Sequence, residues 1–211
     1  MTITKYEHAC FVAEDTGAKL VVDPGKFSPS LPKVSGAVAV VITHVHMDHV
    51  DEPTVKQLIT DNPDVKIFST QQVADTYPNL KAVVVTPGSM HQIGPFTLAF
   101  FGGEHAIIHP SFDKTQNVGV LINSTLYYPG DSFALPGRPI KALAVPAAAP
   151  WMKISEAMDF ISEVKPELAF PTHDAILSNE GKQVFDSMLE PFAKSTGTKY
   201  QRLKTGQSIT V

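Results

Sequence analysis

Three histidines and one aspartate occur within six consecutive residues, in the sequence HVHMDH that begins at His44. In an extended segment, residues two apart point in the same direction, so His44 and His46 can reach one ion together. Asp48 and His49 follow where the chain begins to turn toward a predicted helix, and they can reach a second ion nearby. Imidazole and carboxylate groups suit zinc, manganese and iron, with zinc the first expectation. The spacing therefore predicts metal-ion chemistry.

Four ligands do not complete two metal sites, and three further candidates lie just past predicted strands. They are His105 in the sequence GGEH, Asp131 in PGDS and His173 in PTHD. Each lies in a turn that contains glycine or proline, and such turns are where a folded scaffold usually presents ligands. We therefore expect the fold to bring these three side chains to the HVHMDH segment.

The elements that must position these residues are many short strands with helices between them. The run GAVAVVIT, directly before His44, is apolar and valine-rich, which indicates a strand buried on both faces over residues 36–43. Helices are predicted from the cap Asp51 onward, and over residues 155–164 and 181–193. Alternating or apolar runs predict further strands at residues 2–6, 10–14, 19–22, 65–69, 82–85, 97–101, 118–123, 125–128, 141–145, 168–170 and 208–211. Two sheets sandwiched by helices fit this order, although secondary structure alone leaves several folds open.

The motifs, taken in order, resemble those of the metallo-β-lactamase-fold hydrolases. HVHMDH is followed by GGEH, PGDS and PTHD, and Asp23 in the earlier sequence VVDP matches the first motif of that family. The EHACF segment around His8, the short length and the PGDS turn are similar to a small branch that includes L-ascorbate-6-phosphate lactonase. The resemblance implies an α+β fold, an αββα four-layer sandwich with a metal site at one edge of its two sheets. Residues 1–211 would form a single metallo-β-lactamase-like domain.

The resemblance also implies that two divalent ions, Zn²⁺ or alternatively Mn²⁺ or Fe²⁺, are held by side chains of these motifs. The ligands of the first ion would be His44, His46 and His105. Those of the second ion would be Asp48, His49 and His173, with Asp131 bridging the two ions. A hydroxide shared by the ions would attack the substrate, and Asp48 would accept the proton of the nucleophile. Asp48 and Asp131 are thus the candidate catalytic carboxylates.

Four other residues are predicted to lie near the ions without binding them. Asp23 is expected to accept a hydrogen bond that orients a ligand imidazole or the backbone of the HVHMDH loop. His8 is expected to be a hydrogen-bonded residue beside the site or facing the substrate. Ser132, next to Asp131, and Trp151, in the sequence APW, are candidates for contact with the substrate, and Trp151 could equally cover the core.

Composition excludes several other kinds of protein. The 211 residues are 43% hydrophobic and 18% charged, which is typical of a globular chain. A net charge of −4 and only two arginines, Arg138 and Arg202, argue against nucleic acid as a partner. Cys10 is the only cysteine, no secretory signal is recognisable, and no apolar run is long enough to span a membrane. We therefore expect a cytoplasmic protein without a membrane partner.

The leading interpretation is a metal-dependent hydrolase of a small-molecule ester, lactone or phosphodiester. Two alternatives stay open, a nucleic-acid phosphodiesterase and a non-catalytic metal-binding protein. The amphipathic helices could also support a homo-oligomer, but nothing in the sequence sets its symmetry.

Overall fold

Two seven-stranded sheets form the centre of the structure, a computed structural model that describes residues 1–211. The strands of the first sheet are β1 (Thr2–Lys5), β2 (Phe11–Asp15), β3 (Ala18–Val22), β4 (Ala37–Ile42), β5 (Lys66–Ser69), β6 (Val83–Val84) and β14 (Ser208–Thr210). Those of the second are β7 (Met90–Ile93), β8 (Phe96–Glu104), β9 (Gln116–Ile122), β10 (Leu126–Tyr128), β11 (Ala142–Pro146), β12 (Leu168–Thr172) and β13 (Lys199–Tyr200). The helices are α1 (Glu52–Asp61), α2 (Gln71–Thr76), α3 (Ile154–Val164) and α4 (Asn179–Ser195), with a 3₁₀ turn at Pro78–Leu80.

Each sheet contains a parallel block of strands. The first sheet has the order β14-β1-β2-β3-β4-β5-β6 and is parallel from β3 to β6. The second has the order β13-β12-β11-β10-β9-β8-β7 and is parallel from β10 to β13. Because the carboxyl ends of parallel strands meet at one edge of a sheet, the loops that follow β3, β4, β10 and β12 are gathered at such edges.

Strand β4 shows why two sheets stack here with helices outside them. Successive side chains of a strand point to opposite faces, and in β4 both faces are apolar. Val41 contributes to the central core between the sheets, which also holds Phe100 and Phe170 of the second sheet. Val40 points the other way and packs with Val55 of α1. A third apolar cluster joins the second sheet to α3 and α4. The order is therefore helix, sheet, sheet, helix, and the predicted αββα sandwich is confirmed.

Helix α1 begins where its cap predicts. Asp51 caps α1, because its carboxylate accepts hydrogen bonds from the Thr54 backbone N–H at 3.2 Å and from the Thr54 hydroxyl at 2.6 Å. Helix α3 ends at Val164, and Lys165 then takes a left-handed conformation before Pro166. Helix α4 is longer than the predicted residues 181–193.

Helix α2, strands β7 and β13 and the 3₁₀ turn at Pro78–Leu80 were not predicted from the sequence. Helix α2 is only six residues long and buries a single side chain, Val73, so it shows no helical periodicity to detect. Strand β7 has no buried residue, and β13 consists of two residues whose pairing with β12 defines it. Strand β8 also continues past the predicted end at residue 101, since its ladder with β9 extends to Glu104. None of the helices combines the length and apolar character needed to cross a bilayer.

Candidate metal centre

Six loops meet at one end of the two sheets, and each carries a histidine or aspartate named above. Asp23 follows β3, the HVHMDH segment follows β4, and His105 follows β8. Asp131 and His173 follow β10 and β12, and the connection between β1 and β2 carries His8. Residues separated by up to 165 positions thus share one site, because the strands end there.

The side chains of these loops form two neighbouring clusters with metal-ligand chemistry. In each cluster the candidate ligand atoms all lie within 4.8 Å of one another. The first cluster consists of His44, His46, His105 and Asp131. The second consists of His8, Asp48, His49 and His173. The fold therefore brings all seven predicted ligands together, and His8 lies among them.

Asp131 lies between the two clusters and contacts both. Its Oδ2 atom lies 3.3 Å from Nε2 of His105 and 3.8 Å from Nε2 of His44, both in the first cluster. The same oxygen is 3.0 Å from Nε2 of His173, and Oδ1 is 3.2 Å from Nε2 of His49, both in the second. One carboxylate is therefore placed where it can serve two ions.

The chemistry of the buried atoms fits divalent cations. Nε2 of His49, Nε2 of His105 and Oδ1 of Asp131 are buried and form no hydrogen bond. A buried polar atom without a partner is costly, by roughly 1–3 kcal/mol, and such atoms usually belong to a group with a ligand. Imidazole nitrogens and carboxylate oxygens converging on one point are the donor set of zinc, manganese and iron sites.

A comparison with known proteins agrees with this geometry. The family profile described as "Beta-lactamase superfamily domain" matches residues 2–173. Protein Rv0786c of Mycobacterium tuberculosis is 35% identical over 216 residues, covering 100% of both chains. The chain belongs to the β-lactamase superfamily.

Two further matches describe this branch of the superfamily. A UPF0173 metal-dependent hydrolase of Aeropyrum pernix is 36% identical over 77 residues, or 35% of this chain and 31% of that protein. The solved structure of Igni18, a metallo hydrolase from Ignicoccus hospitalis KIN4/I, aligns with a TM-score of 0.75 at 20% identity, covering 99% of this chain and 97% of that one. The metallo-β-lactamase fold and the metal-dependent hydrolase class predicted from the sequence are confirmed.

The aspartates and histidines of the two clusters shift each other's pKa values. Burial would raise the pKa of Asp131, but the neighbouring His49 and His173 hold it well below its usual range. Burial would conversely lower the pKa of His173, and Asp131 with Asp48 raises it to about 9. The pKa of His44 lies well below its usual value because it is buried beside His49. Because ions bind deprotonated imidazoles, cations at this centre would replace the protons that otherwise pair with the carboxylates.

Asp23 organises one histidine of each cluster. Its Oδ2 atom accepts hydrogen bonds from Nδ1 of His49 at 2.7 Å and from the Thr43 hydroxyl at 2.7 Å. A carboxylate cannot donate, so the Thr43 hydroxyl gives its proton to Asp23 and accepts from Nδ1 of His44, 3.0 Å away. In both imidazoles the proton is thereby held on Nδ1, and Nε2 faces Asp131. Asp23 thus makes the hydrogen bonds predicted from the sequence, and it contacts two candidate ligands without belonging to either cluster.

The turn that carries Asp131 is held by Asn117, a residue that sequence reasoning missed. The Asn117 side chain accepts a hydrogen bond from the Asp131 backbone N–H at 3.0 Å and donates to the Pro129 carbonyl at 2.9 Å. Gly130 has a φ of +65°, and a Cβ atom there would collide with Asn117. Asn117 directly precedes the predicted strand at residues 118–123, and nothing in its sequence position signalled this role.

Ser132 and Trp151 use their polar atoms inside the site. The Ser132 hydroxyl donates to the Pro129 carbonyl at 3.1 Å and accepts from the Asn117 amide at 3.3 Å, so its contacts stabilise the turn itself. Trp151 donates a hydrogen bond from Nε1 to Oδ2 of Asp131 at 3.0 Å, and its ring packs edge-on against His105. Both side chains are buried, and contact of either with a substrate stays a prediction.

Gly25 allows the loop after β3 to touch the loop after β4. A Cβ atom at Gly25 would overlap the backbone carbonyl group of Asp48. The Met47 carbonyl also accepts a hydrogen bond from the Lys26 backbone N–H at 2.8 Å. The second half of the HVHMDH segment, from Met47 to His49, is therefore supported by the chain that follows Asp23.

His8 lies in the second cluster, but its hydrogen bonds identify it as a donor to Asp48. The Ala175 backbone N–H donates to Nδ1 of His8 at 3.3 Å, so that nitrogen carries a lone pair. Burial lowers the pKa of His8 to about 4, against the opposing effect of its bond to Asp48, and the ring is neutral. Its proton is therefore on Nε2, which donates to Oδ2 of Asp48 at 2.9 Å.

We predict that His8→Ala weakens binding of the second ion by about 10- to 100-fold, the usual cost of losing a partner behind a metal ligand. The first ion should be retained, because His8 makes no contact with its ligands. His8→Gln should restore part of the affinity, since its amide can also donate to Asp48. Metal content after dialysis against graded chelators measures this, with exposed His109→Ala as the control. Two tightly bound ions in His8→Ala would contradict the prediction.

Proposed function

We propose that this β-lactamase superfamily member hydrolyses a small-molecule ester, lactone or phosphodiester at a centre of two divalent ions. The observation that carries the proposal is the position of Asp131, whose two oxygens contact imidazoles of both clusters. The ligand sets are those stated above, with Asp131 shared and zinc the first candidate, ahead of manganese and iron.

Bound divalent cations supply Lewis acidity, which polarises a carbonyl or phosphoryl oxygen and acidifies water. Asp48 is the carboxylate that can exchange a proton with a group entering the site, because its side chain is 18% exposed while that of Asp131 is 3% exposed. Burial would raise the pKa of Asp48, but hydrogen bonds from His173 and His8 hold it well below its usual range. Asp48 is thus ionised and already oriented by His8 when a substrate arrives.

The positions of the two arginines favour a small substrate over a nucleic acid. Arg202 pairs with Asp186, its Nε lying 2.5 Å from Oδ2, and it also contacts Asp174. Arg138 lies over the ring of Phe101 at 5.9 Å from the centroid. Both arginines therefore already have partners, which supports a small molecule as the substrate rather than a polymer with many phosphates.

The deciding experiment is to load the metal-free protein with Zn²⁺, Mn²⁺ or Fe²⁺ and to test each form on esters, lactones and phosphodiesters. Metal content and the fluorescence of Trp151, the only tryptophan, report loading independently of turnover. We expect two ions per chain, with turnover that a chelator removes and added metal restores. Full turnover by the metal-free protein would contradict the proposal. So would two bound ions with no turnover of any substrate class, which is the result expected of a non-catalytic metal-binding protein.

A further inference from the structure

Large apolar side chains are exposed on the loops that carry the metal-binding residues. Of the twelve exposed large hydrophobic residues in the chain, seven lie on these loops. One of them, Leu135, lines a separate cavity with Arg138 and Lys165. The other six are Phe27, Met47, Ile107, Ile108, Phe112 and Ile176. We call these six the apolar rim. Isolated exposed hydrophobic residues are normal on a protein surface, but their concentration around one site marks a binding surface.

The apolar rim is joined directly to the candidate ligands in sequence and in space. Met47 lies between His46 and Asp48 and is 51% exposed. Phe27 packs its ring edge-on against His8, with 5.2 Å between the centroids. Ile176 follows Ala175, whose backbone N–H donates to His8. A molecule held at the metal centre would therefore lie beside these side chains.

The segment between β8 and β9 adds a cavity to the apolar rim. A cavity of about 260 Å³ is lined by residues 104–110 and 112–115, which include His105 and the rim residues Ile107, Ile108 and Phe112. Ile107 is 73% exposed and Phe112 is 63% exposed. The volume lies just below the range typical of drug-sized ligands, so it suits one flexible chain rather than a large ring system.

We propose that the apolar rim binds the hydrocarbon chain of the substrate, so that the preferred substrates are esters or lactones with an acyl or alkyl chain of several carbons. This inference rests on the proposed function and names its substrate class. His105 lines the cavity and its Nε2 lies 3.3 Å from Oδ2 of Asp131, so the carbonyl of a substrate whose chain fills the cavity would lie next to the metal centre. Each methylene removed from water contributes about a fourfold gain in binding. The preference should therefore grow with chain length until the cavity is filled.

The test compares metal-loaded protein with the double variant Ile107→Ser and Phe112→Ser on p-nitrophenyl acetate, butyrate, hexanoate and octanoate. We expect kcat/KM of the unmodified protein to rise by about fourfold for each buried methylene. In the variant, the ratio of octanoate to acetate kcat/KM should fall toward one. The matched control is Val184→Ser with Met90→Ser, which removes exposed apolar side chains from α4 and β7. Quenching of Trp151 fluorescence by alkyl carboxylates of the same lengths gives a second measurement that needs no turnover.

The outcomes separate this inference from the proposed function. If the protein hydrolyses esters but neither the rate nor the fluorescence change depends on chain length, the rim does not bind the hydrocarbon chain. The hydrolase proposal would then remain intact. Rim-dependent binding of longer carboxylates, without hydrolysis of any ester, lactone or phosphodiester, would overturn the hydrolase proposal and the ester or lactone preference, and would leave only hydrocarbon binding by the rim. Conversion of a dimer to a monomer by the double variant, with the chain-length dependence unchanged, would assign the apolar rim to a second copy of the chain and overturn the inference.

Discussion

Asp131→Ala is expected to remove both metal ions and to reduce turnover by on the order of 10³-fold. Its two oxygens contact imidazoles of both clusters, so neither ion keeps a complete ligand set when the carboxylate is absent. Two cations contribute several kcal/mol of charge stabilisation in the transition state, and about 1.4 kcal/mol corresponds to a tenfold change in rate. Losing about 4 kcal/mol accounts for the expected factor.

The measurements are metal content, turnover and the pH titration of His173. Removing Asp131 takes away the largest influence that raises the pKa of His173 to about 9, so this pKa should fall in the variant. Histidine NMR in the metal-free protein follows it without any dependence on activity. Asp75→Ala, which removes an exposed carboxylate from α2, is the matched control and should change neither property. An Asp131→Ala protein that still holds two ions would show that the carboxylate does not bridge them.

Asp23→Ala is expected to weaken the binding of both metal ions and to destabilise the fold, although Asp23 is not a predicted ligand. Metal affinity should fall by about 10- to 100-fold at each site, because Asp23 holds His49 directly and His44 through the Thr43 hydroxyl. The change also leaves the buried Tyr128 hydroxyl and the Thr43 backbone N–H without their acceptor. Each such group costs roughly 1–3 kcal/mol, so the free energy of unfolding should drop as well.

Two smaller substitutions separate these effects of Asp23. Tyr128→Phe removes only the hydroxyl that donates to Asp23 at 2.9 Å, so it should leave both metal affinities nearly unchanged. Thr43→Val removes only the hydroxyl that joins Asp23 to His44. It should therefore lower the affinity for the first ion and leave the affinity for the second unchanged. Isothermal titration of metal-free protein and denaturant unfolding measure the two properties. Equal loss of both ions in Thr43→Val, or none in Asp23→Ala, would refute this role of Asp23.

The sequence identified the centre because its chemistry is local. The HVHMDH segment carries four candidate ligands within six residues. The other three directly follow strands whose ends meet at the same edge of the sheets. What holds these side chains in place is not local. The tautomer of His8 depends on Ala175, a residue 167 positions away, and no spacing rule connects the two. Asn117 supports Asp131 only because β9 and β10 pair in one register.

The fold prediction was limited for the same reason, because sequence patterns report only local features. Periodicity detects elements that bury a face, so it found α1, α3, α4 and the central strands. It could not detect α2, which buries one side chain, or β7, which buries none. The exposure of single side chains could not be predicted either. From its type alone an isoleucine such as Ile107 is expected in the core, but in the structure it is exposed. The hydrogen bonds of the Ser132 hydroxyl to the Pro129 carbonyl and the Asn117 amide could not be predicted either, and its contact with a substrate stays a prediction.

The contact between Gly25 and the Asp48 backbone limits how this architecture can diversify. An insertion in either the loop after β3 or the loop after β4 would force the other to move, so these two segments can evolve only as a unit. Ala106 is also held, because its backbone N–H donates to the Asp131 carbonyl at 2.8 Å. Residues 107–114 are under no such constraint, because their hydrogen bonds stay within the segment that joins β8 and β9 or reach only Glu104 at the end of β8. Mutational libraries confined to that stretch can therefore retune chemical selectivity while leaving the catalytic scaffold untouched.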